Sequence, residues 1–495
     1  LDPAFAKSQN NIWVIDHLYN QLLDLDDSMQ LIPELASGWS ISNDQLTYSF
    51  RIRYPVYFHR DSCFGSEKTR QLTAKDVAYS FNRLLDPEVN SPGSWIFLDK
   101  VDSLQPFSFE GDSLFKIHLT RPFSPLLHLL TMQYCSIVPE EAVRFYGQDF
   151  GKHPVGTGPF VFKKWLGRKG LFLRSNPEYY IGDRPMLDGI RISFMEDRNT
   201  AYLEFLKKEI DFFSGLQAGF ANQLVSQEGV LRPDMADKMQ LLRGDFLNTE
   251  YIGINQSLLD KGHPLLDKRV RQALNYAIDR QTMIRLLKFG LGTPAENGFI
   301  PRGLNRTMGN GLIGYSYQPD KARTLLREAG YYDSNAKPIE LTIHTNKDYS
   351  DIITYVAKQW EEIGIRVHID LVETATLREK MRRSELPLFR ASWIADYPDE
   401  ESFLNVFYSP NPSPPNYTRF DNHLFDQLYE ASIQETRTDK RKLLYRQMDS
   451  LLIEEAPVIF LFYDQTAWFA QNRIRNLKPN PLNLLKLEAV EECCD

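Results

Sequence analysis

Between residues 339 and 393 the chain alternates between strand-like and helix-like patterns, and this alternation constrains the fold more than any other feature. Strands are predicted at Ile339–Thr345, Ile365–Val372 and Leu388–Trp393, and the segments between them, Ser350–Ile363 and Thr374–Arg383, have helical apolar spacing. Strands that are joined through helices form mostly parallel sheets with right-handed crossovers. The sequence therefore predicts an α/β protein whose main sheet is mostly parallel.

Segments outside this run supply further elements. Thr73 and Asp76 have the spacing of a capping box at the start of a helix that ends near Leu85. Residues 265–289 have the apolar spacing of one long amphipathic helix, and Gly290 follows it. Residues 190–213 are predicted to form a β-α-β unit, and residues 31–60 are predicted to be rich in strands.

Length, charge and cysteine content exclude several classes of protein. A chain of 495 residues is long enough for two or more domains, and a net charge of −8 gives no reason to expect a nucleic-acid partner. No apolar run is long enough to span a bilayer, and no cysteine has zinc-ligand spacing. The sequence leaves open whether Cys63 and Cys135 form a disulfide and what the adjacent pair Cys493 and Cys494 does.

The segment from Arg390 to Asp399 is the candidate ligand site. It places Arg390 and Asp396 six positions apart, with Trp393 and Tyr397 in the same segment. Arg390 and Trp393 lie on the last predicted strand, and Asp396 and Tyr397 come just past its end. In such sheets, ligands bind beyond the carboxyl ends of the strands. The pair suits a ligand with a free amine and a free carboxylate. Two alternatives stay open: Arg390 forms an internal ion pair, or Asp396 caps a turn with Pro398.

No motif supplies a catalytic set. The chain contains no P-loop, no HExxH and no GxSxG sequence, and its nine histidines are scattered. Gly309–Gly314 has the spacing of a dinucleotide-binding glycine motif, but it follows a loop rather than a strand. We therefore expect a binding protein that is not an enzyme, with no cofactor and no metal site.

A series of motifs, in a consistent order along nearly the whole chain, resembles one family. The resemblance is to the extracellular solute-binding proteins of ABC transporters, family 5, in the branch that includes the periplasmic oligopeptide- and dipeptide-binding proteins. The residues that carry it are Leu1–Pro3, Leu31–Trp39, Leu46–Arg53, Phe58–His59, Leu72–Phe81, Val155–Phe160, Val270–Asp279, Ala395–Tyr397 and Phe403–Leu404.

The resemblance implies a two-lobed periplasmic-binding-protein-like α/β fold with mixed sheets and an extra β-rich subdomain in the first lobe. Lobe one would comprise residues 1–247, with the extra subdomain at about 31–153, and lobe two residues 248–468. Residues 469–495 would return to lobe one. Two crossing strands, near Asn248–Ile254 and Thr466–Phe469, would form the hinge.

The resemblance also implies roles for individual residues in ligand binding. Asp396 would pair with the α-amino group of a peptide, and Arg390 would bind its carboxylate. The other expected binding residues are Trp393 and Tyr397 in the same segment, Ser8 and Gln9 after the N-terminal motif, Trp95 as an aromatic wall, and Tyr251 at a hinge crossing. Lys7 is a departure, because some peptide binders have an acidic residue at its position.

The implied function is that of the extracytoplasmic substrate-binding component of an ABC importer, which captures short peptides in the cleft between two lobes. Its expected partners are a short peptide and the membrane permease of the transporter, and the protein is expected to be a monomer. The expected location is the periplasm or the outside of the cytoplasmic membrane. Because the chain begins with Leu1 rather than Met, anchoring through a lipid on a removed N-terminal segment stays open. The alternatives are the same fold with another small solute, such as an opine or a metal chelate, and a hydrolase or an adhesin-like surface protein.

Overall fold

The computed structural model of the protein describes residues 1–182, 185–216, 218–304, 312–332 and 338–493. The chain divides into two compact units. The first unit contains Leu1–Gly215, Asp237–Leu242 and the C-terminal segment from Trp468, and the second contains Leu216–Ala236 and Arg243–Ala467.

The first unit is built on small antiparallel sheets. Its strands, in chain order, are β1 (Leu23–Leu25), β2 (Leu31–Pro33), β3 (Ala36–Ile41), β4 (Thr47–Ile52), β5 (Phe107–Glu110), β6 (Leu114–His118), β7 (Phe160–Trp165), β8 (Gly170–Ser175), β9 (Gly189–Ser193) and β10 (Phe212–Ser214). Strands β1 and β2 pair with each other, and larger sheets have the orders β3-β4-β6-β5 and β7-β8-β9. Its helices are α1 (Gln9–Leu18), α2 (Ala74–Leu85), α3 (Leu126–Leu129), α4 (Glu140–Tyr146) and α5 (Arg198–Leu206).

Helix α2 packs on the four-stranded sheet through aromatic side chains. The capping box that Thr73 and Asp76 predicted is present. The ring of Phe81 lies 5.6 Å from that of Phe107 and 5.5 Å from that of Phe115, both in edge-on geometry. The apolar face of the helix is therefore buried against the β-rich part of the unit, as the helical spacing predicted.

Strands β9 and β10 do not form the predicted β-α-β unit. Strand β9 pairs antiparallel with β8, whereas β10 pairs with a strand near the C-terminus, at Trp468, Phe469 and Ala470. The periodicity located the elements but carried no information about which strands pair, so this prediction was wrong.

The second unit is built around one mixed sheet. The strands are β11 (Met239–Ile254), β12 (Thr293–Pro294), β13 (Ile339–Thr345), β14 (Ile365–Leu371), β15 (Leu388–Ile394) and β16 (Val458–Gln471). The helices are α6 (Ala218–Leu224), α7 (Lys268–Tyr276), α8 (Arg280–Leu287), α9 (Pro319–Glu328), α10 (Ser350–Glu361), α11 (Thr374–Arg382), α12 (Glu401–Leu404), α13 (His423–Gln434) and α14 (Thr438–Glu455). Short strands β17 (Ile474–Arg475) and β18 (Glu491–Glu492) complete the chain in the first unit.

The sheet order is β10-β16-β11-β15-β13-β14, with β12 beside β16. Strand β13 pairs in parallel with β14 and β15, whereas β11 pairs antiparallel with β15, and β10 and β12 pair antiparallel with β16. The predicted crossovers through α10 and α11 are confirmed. The prediction of a mostly parallel sheet was wrong, because long strands from distant parts of the chain add antiparallel neighbours.

Strands β11 and β16 each pass between the two units. Strand β11 enters the second unit after Leu242, and β16 enters the first after Ala467. The crossings predicted from the resemblance, near 248–254 and 466–469, lie within these two strands. The predicted domain boundaries themselves stay a prediction.

The predicted long helix at 265–289 is two helices, α7 and α8. The side chain of Asp279 accepts a hydrogen bond from the backbone N–H of Thr282 at 3.0 Å and so begins a new helix. Arg280, which is 1% exposed, donates to the backbone carbonyls of Phe460, Asn275 and Tyr315. A buried guanidinium needs such acceptors, and the break in the helix supplies one of them.

Cys63, Cys135 and Cys493 are free thiols, so the disulfide left open between Cys63 and Cys135 is not formed. Cys494 and the first residues of the Gly309–Gly314 motif lie outside the described residues. Within the described part of the chain, no helix combines the length and the apolar character needed to cross a bilayer.

Candidate ligand-binding site

The register of β11 and β15 decides which side chains share a face. Glu250 lies opposite Ser392, and Ile252 lies opposite Arg390. Residues that lie directly opposite each other in an antiparallel pair point to the same side of the sheet, and alternate residues along a strand do so too. Arg390, Ser392 and Glu250 therefore share one face of the sheet.

The side chain of Arg390 is held by neighbours within the second unit. Its guanidinium forms an ion pair with Glu250, donates a hydrogen bond to Ser392 Oγ at 2.6 Å, and lies over the ring of Tyr349. Arg390 is 8% exposed and Glu250 is 1% exposed. The Nε–H of Arg390 has no acceptor among the described residues. The positive charge is thus already matched by an internal carboxylate, which is one of the alternatives that the sequence left open.

Asp396 differs from Arg390 in both exposure and pairing. It lies two residues beyond β15, is exposed, and its carboxylate has neither an ion-pair partner nor a hydrogen-bond donor in the described ranges. Enough protein surrounds it for desolvation to raise the pKa of its carboxyl to about 6. An accessible carboxylate without a partner, in poorly hydrated surroundings, can accept a cationic group of a ligand.

The backbone around Asp396 is fixed from both sides. The N–H of Ala395 donates to the carbonyl of Leu247 at 2.8 Å, which extends the pairing of the two strands by one residue. The N–H of Asp396 donates to Ser402 Oγ at 3.3 Å. The indole N–H of Trp393 donates to the carbonyl of the same serine at 2.6 Å. Strand and loop together therefore fix where the carboxylate is presented.

The predicted aromatic residues of the second unit occupy framework positions. Trp393 is half-buried, and Tyr397 is 2% exposed, with its hydroxyl donated to Glu401. Tyr251 is fully buried, and its ring packs edge-on against Phe299 at 5.2 Å between centroids. Its hydroxyl has no partner among the described residues. Contact of any of these three side chains with a ligand stays a prediction.

The remaining predicted residues belong to the first unit. Ser8 is exposed and caps α1, with its hydroxyl oxygen accepting from the N–H of Asn11. Gln9 donates its side-chain amide to the carbonyl of Asn483 at 2.9 Å. Trp95 is half-buried, and its carbonyl accepts from the ammonium of Lys100 at 2.6 Å. Their proposed contact with the ligand also stays a prediction.

Three residues at the site had no signal in the sequence. Glu250 lies on a strand that is 140 positions from Arg390, and only the strand register brings the two together. Tyr349 precedes helix α10, and nothing in the local pattern assigns it to Arg390. Glu401 lies in an acidic run that is typical of a solvated surface, yet it is 2% exposed. No group of three or more histidine, cysteine or acidic side chains in the described residues could hold a metal ion.

Comparison with known proteins identifies the family. Residues 30–415 match the model described as bacterial extracellular solute-binding proteins, family 5 Middle. The chain belongs to this family. The resemblance inferred from the sequence motifs is therefore confirmed, and the protein is a solute-binding protein of the kind that serves ABC transporters.

Individual relatives of this family 5 protein extend over almost its whole length. Heme-binding protein A of Haemophilus influenzae is 30% identical over 467 residues, covering 89% of this chain and 81% of the relative. The dipeptide-binding protein of Escherichia coli is 25% identical over 495 residues, covering 96% and 88%. The structure of HbpA2 from Haemophilus parasuis superposes with a TM-score of 0.85 at 24% identity, covering 100% of this chain and 97% of that one. The predicted fold class is thereby confirmed.

Proposed function

We propose that this family 5 protein captures short peptides with a free N-terminus and that Asp396 binds the peptide's ammonium group. The observation that carries the proposal is the carboxylate of Asp396, which is accessible and has no partner in the described ranges. An ammonium group would form a charge-assisted hydrogen bond there, about twice as strong as a neutral one. The relationship to a protein named for binding dipeptides supports the same ligand class.

For Arg390 we propose a secondary role, binding of the peptide's carboxylate, which would have to compete with Glu250. The unused Nε–H of Arg390 gives a carboxylate one donor that Glu250 does not occupy. Because the Glu250 carboxylate is already paired with the guanidinium, the gain from a second carboxylate is smaller than for a free cation. Free-acid and C-terminally amidated forms of one peptide should therefore differ less in affinity than free-amine and N-acetylated forms.

The proposal includes a role in transport rather than in catalysis. A bound peptide should be recovered intact after long incubation, because the motifs contain neither a nucleophile–base pair nor a metal site. We also propose that the protein acts as a monomer, delivers the peptide to a membrane permease, and works in the periplasm or on the outer side of the cytoplasmic membrane. Whether a lipid anchors it there is a question for mass spectrometry of the native protein.

A second ligand class is favoured by one observation: the 30% identical relative is named for binding heme. Heme carries two carboxylates and no ammonium group, so an unpaired aspartate would repel it rather than bind it. If the ligand is instead an opine or a metal chelate, native mass spectrometry of the protein as purified would identify it by its mass. Titration with hemin should give no saturable change in its Soret absorption if the peptide proposal is correct.

Native mass spectrometry of the protein as purified tests the ligand class directly, because a co-purified solute is identified by its mass. Calorimetry with a library of peptides of two to five residues then gives affinities. N-acetylated copies of the tightest peptides are the matched control. Saturable binding of hemin together with no binding of any peptide would overturn the proposal.

A further inference from the structure

The loop that carries Asp396 continues into three consecutive acidic residues that are buried. Asp399, Glu400 and Glu401 are 2%, 7% and 2% exposed. Burial raises the pKa of Glu400 to about 7, with the neighbouring charge of Asp399 adding to the effect. Burying a carboxylate is unfavourable unless partners satisfy it, so a run of three requires a structural explanation.

The partners of Asp399 and Glu401 are one tyrosine hydroxyl from the same loop, and two tyrosine hydroxyls and one arginine from helices that follow in the chain. One carboxylate oxygen of Glu401 accepts a hydrogen bond from Tyr397, and the other accepts from Tyr429 on α13. Asp399 accepts from Tyr445 at 2.8 Å and lies 3.5 Å from Arg441, both on α14. The carboxylate of Glu401 thus joins Tyr397, in the same loop, to Tyr429 on α13. We call Glu401, Tyr397 and Tyr429 the tyrosine clamp.

The clamp adjoins the segment that positions Asp396. Tyr397 is the residue after Asp396, and Ser402 is the residue after Glu401. The hydroxyl of Ser402 accepts from the Asp396 N–H, and its carbonyl accepts from Trp393. Release of Glu401 would therefore free both ends of the short loop that presents the Asp396 carboxylate.

We propose that the tyrosine clamp positions Asp396 for ligand binding, so that Glu401, Tyr397 and Tyr429 are positioning residues for recognition of the amine. The inference rests on the proposed function of Asp396. It assigns Tyr397 an action through Glu401 rather than contact with the ligand. The buried hydroxyl of Tyr397, which is already donated to Glu401, fits this role.

Two variants remove clamp contacts with little change in volume: Tyr429→Phe and Glu401→Gln. Tyr408→Phe is the matched control. The rings of Tyr408 and Tyr429 stack with 4.4 Å between their centroids, and the hydroxyl of Tyr408 donates a hydrogen bond to Glu430 on α13. Circular dichroism and melting temperature establish that each variant folds. If Glu401→Gln does not fold, Tyr429→Phe and Tyr397→Phe carry the test.

The first readout needs no ligand. The titration of the Asp396 carboxyl is followed by ¹³C NMR in aspartate-labelled protein and assigned with Asp396→Asn. In the clamp variants the pKa of Asp396 should fall by about one unit towards the ordinary aspartate value, because a released loop is better hydrated. In Tyr408→Phe the pKa should not move. An unchanged pKa in folded clamp variants would overturn the inference, whatever the ligand proves to be.

The second readout is calorimetry with trialanine and N-acetyl-trialanine. The clamp variants should weaken binding of trialanine about threefold to tenfold, the effect of one hydrogen bond, and leave the acetylated peptide unaffected. An equal loss for both peptides would show a merely structural role and overturn the inference. If Asp396→Asn leaves the preference for the free amine unchanged, the proposed function fails instead, while the ligand-free titration still decides whether the clamp positions the loop.

Discussion

Replacement of Asp396 by asparagine is the perturbation that examines the proposed site most directly, because it removes the charge and keeps the size of the side chain. Loss of one partner of a buried charged pair costs about 2–5 kcal/mol. Asp396 is exposed, so water screens part of its interaction, and the lower end of that range applies. We expect a loss of about 2 kcal/mol, or roughly thirtyfold in Kd, for a peptide with a free amine.

The pH dependence follows from the raised pKa of Asp396, which is about 6. The peptide's ammonium binds the ionised carboxylate, so binding requires the proton to leave. Above about pH 8 the affinity should fall because the peptide's α-amino group loses its proton. Between pH 7 and pH 5 it should fall by about tenfold, since only roughly a tenth of the Asp396 carboxyl is ionised at pH 5. In Asp396→Asn this dependence should be absent.

Calorimetry of wild type and Asp396→Asn with free-amine and N-acetylated forms of the same peptide, at pH 5, 6 and 7, measures all of these effects. The acetylated peptide should bind both proteins with equal and weaker affinity. Equal affinity of the two peptides for wild type, or an unchanged affinity in the variant, would refute the assignment of Asp396 to the amine.

Three further measurements examine other parts of the protein. Glu250→Ala should lower the free energy of unfolding in urea by about 3–5 kcal/mol because it leaves Arg390 buried and unpaired, whereas Glu340→Ala, which removes a surface pair with Arg366, should cost less than about 1 kcal/mol. His17 is 1% exposed, neither of its ring nitrogens is bonded to a described residue, and burial lowers its pKa to about 3. The folded state therefore loses stability as the pH falls below the unfolded pKa of about 6.5, and the gain in unfolding free energy from His17→Phe should be about 2 kcal/mol larger at pH 5 than at pH 7. A gain that does not depend on pH would contradict the argument. Peptide at about 100 times Kd should add roughly 2.7 kcal/mol of stability and, if the hinge predicted from the resemblance closes, should reduce the radius of gyration in small-angle scattering; an unchanged radius would argue against closure.

Local patterns predicted the elements of the second unit well and their pairing poorly. Strand β13 has the predicted bounds, and β14, β15, α10 and α11 differ from prediction by one or two residues. Their alternation is recorded in neighbouring residues, which is why sequence sufficed. The antiparallel partners of β15 and β16 come from segments far away in the chain, and the periodicity of a strand does not specify its partner.

The same limit applies to the site. The sequence predicted Asp396 and Arg390 as site residues because they lie in one short segment with a family motif, and this assignment stays a prediction. Glu250, which forms the ion pair with Arg390, and Tyr349, whose ring lies against the Arg390 guanidinium, come from other parts of the chain. The break between α7 and α8 was missed for a related reason: its apolar spacing continues across Asp279, and the capping contact of that residue outweighs the spacing.

The alternation of side chains along β15 has a consequence for how specificity changes in evolution. Arg390, Ser392 and Ile394 share one face, and Ala391 and Trp393 point to the other. Substitutions at the even-numbered positions can alter charge and shape on the face that holds Arg390 and Glu250, while the odd-numbered positions keep the packing of the sheet. Replacing Arg390 alone would leave the carboxylate of Glu250 buried and unpaired, so a lineage that changes the charge on this face must change both residues. A designer who wants a new specificity would therefore vary positions 250, 390 and 392 together.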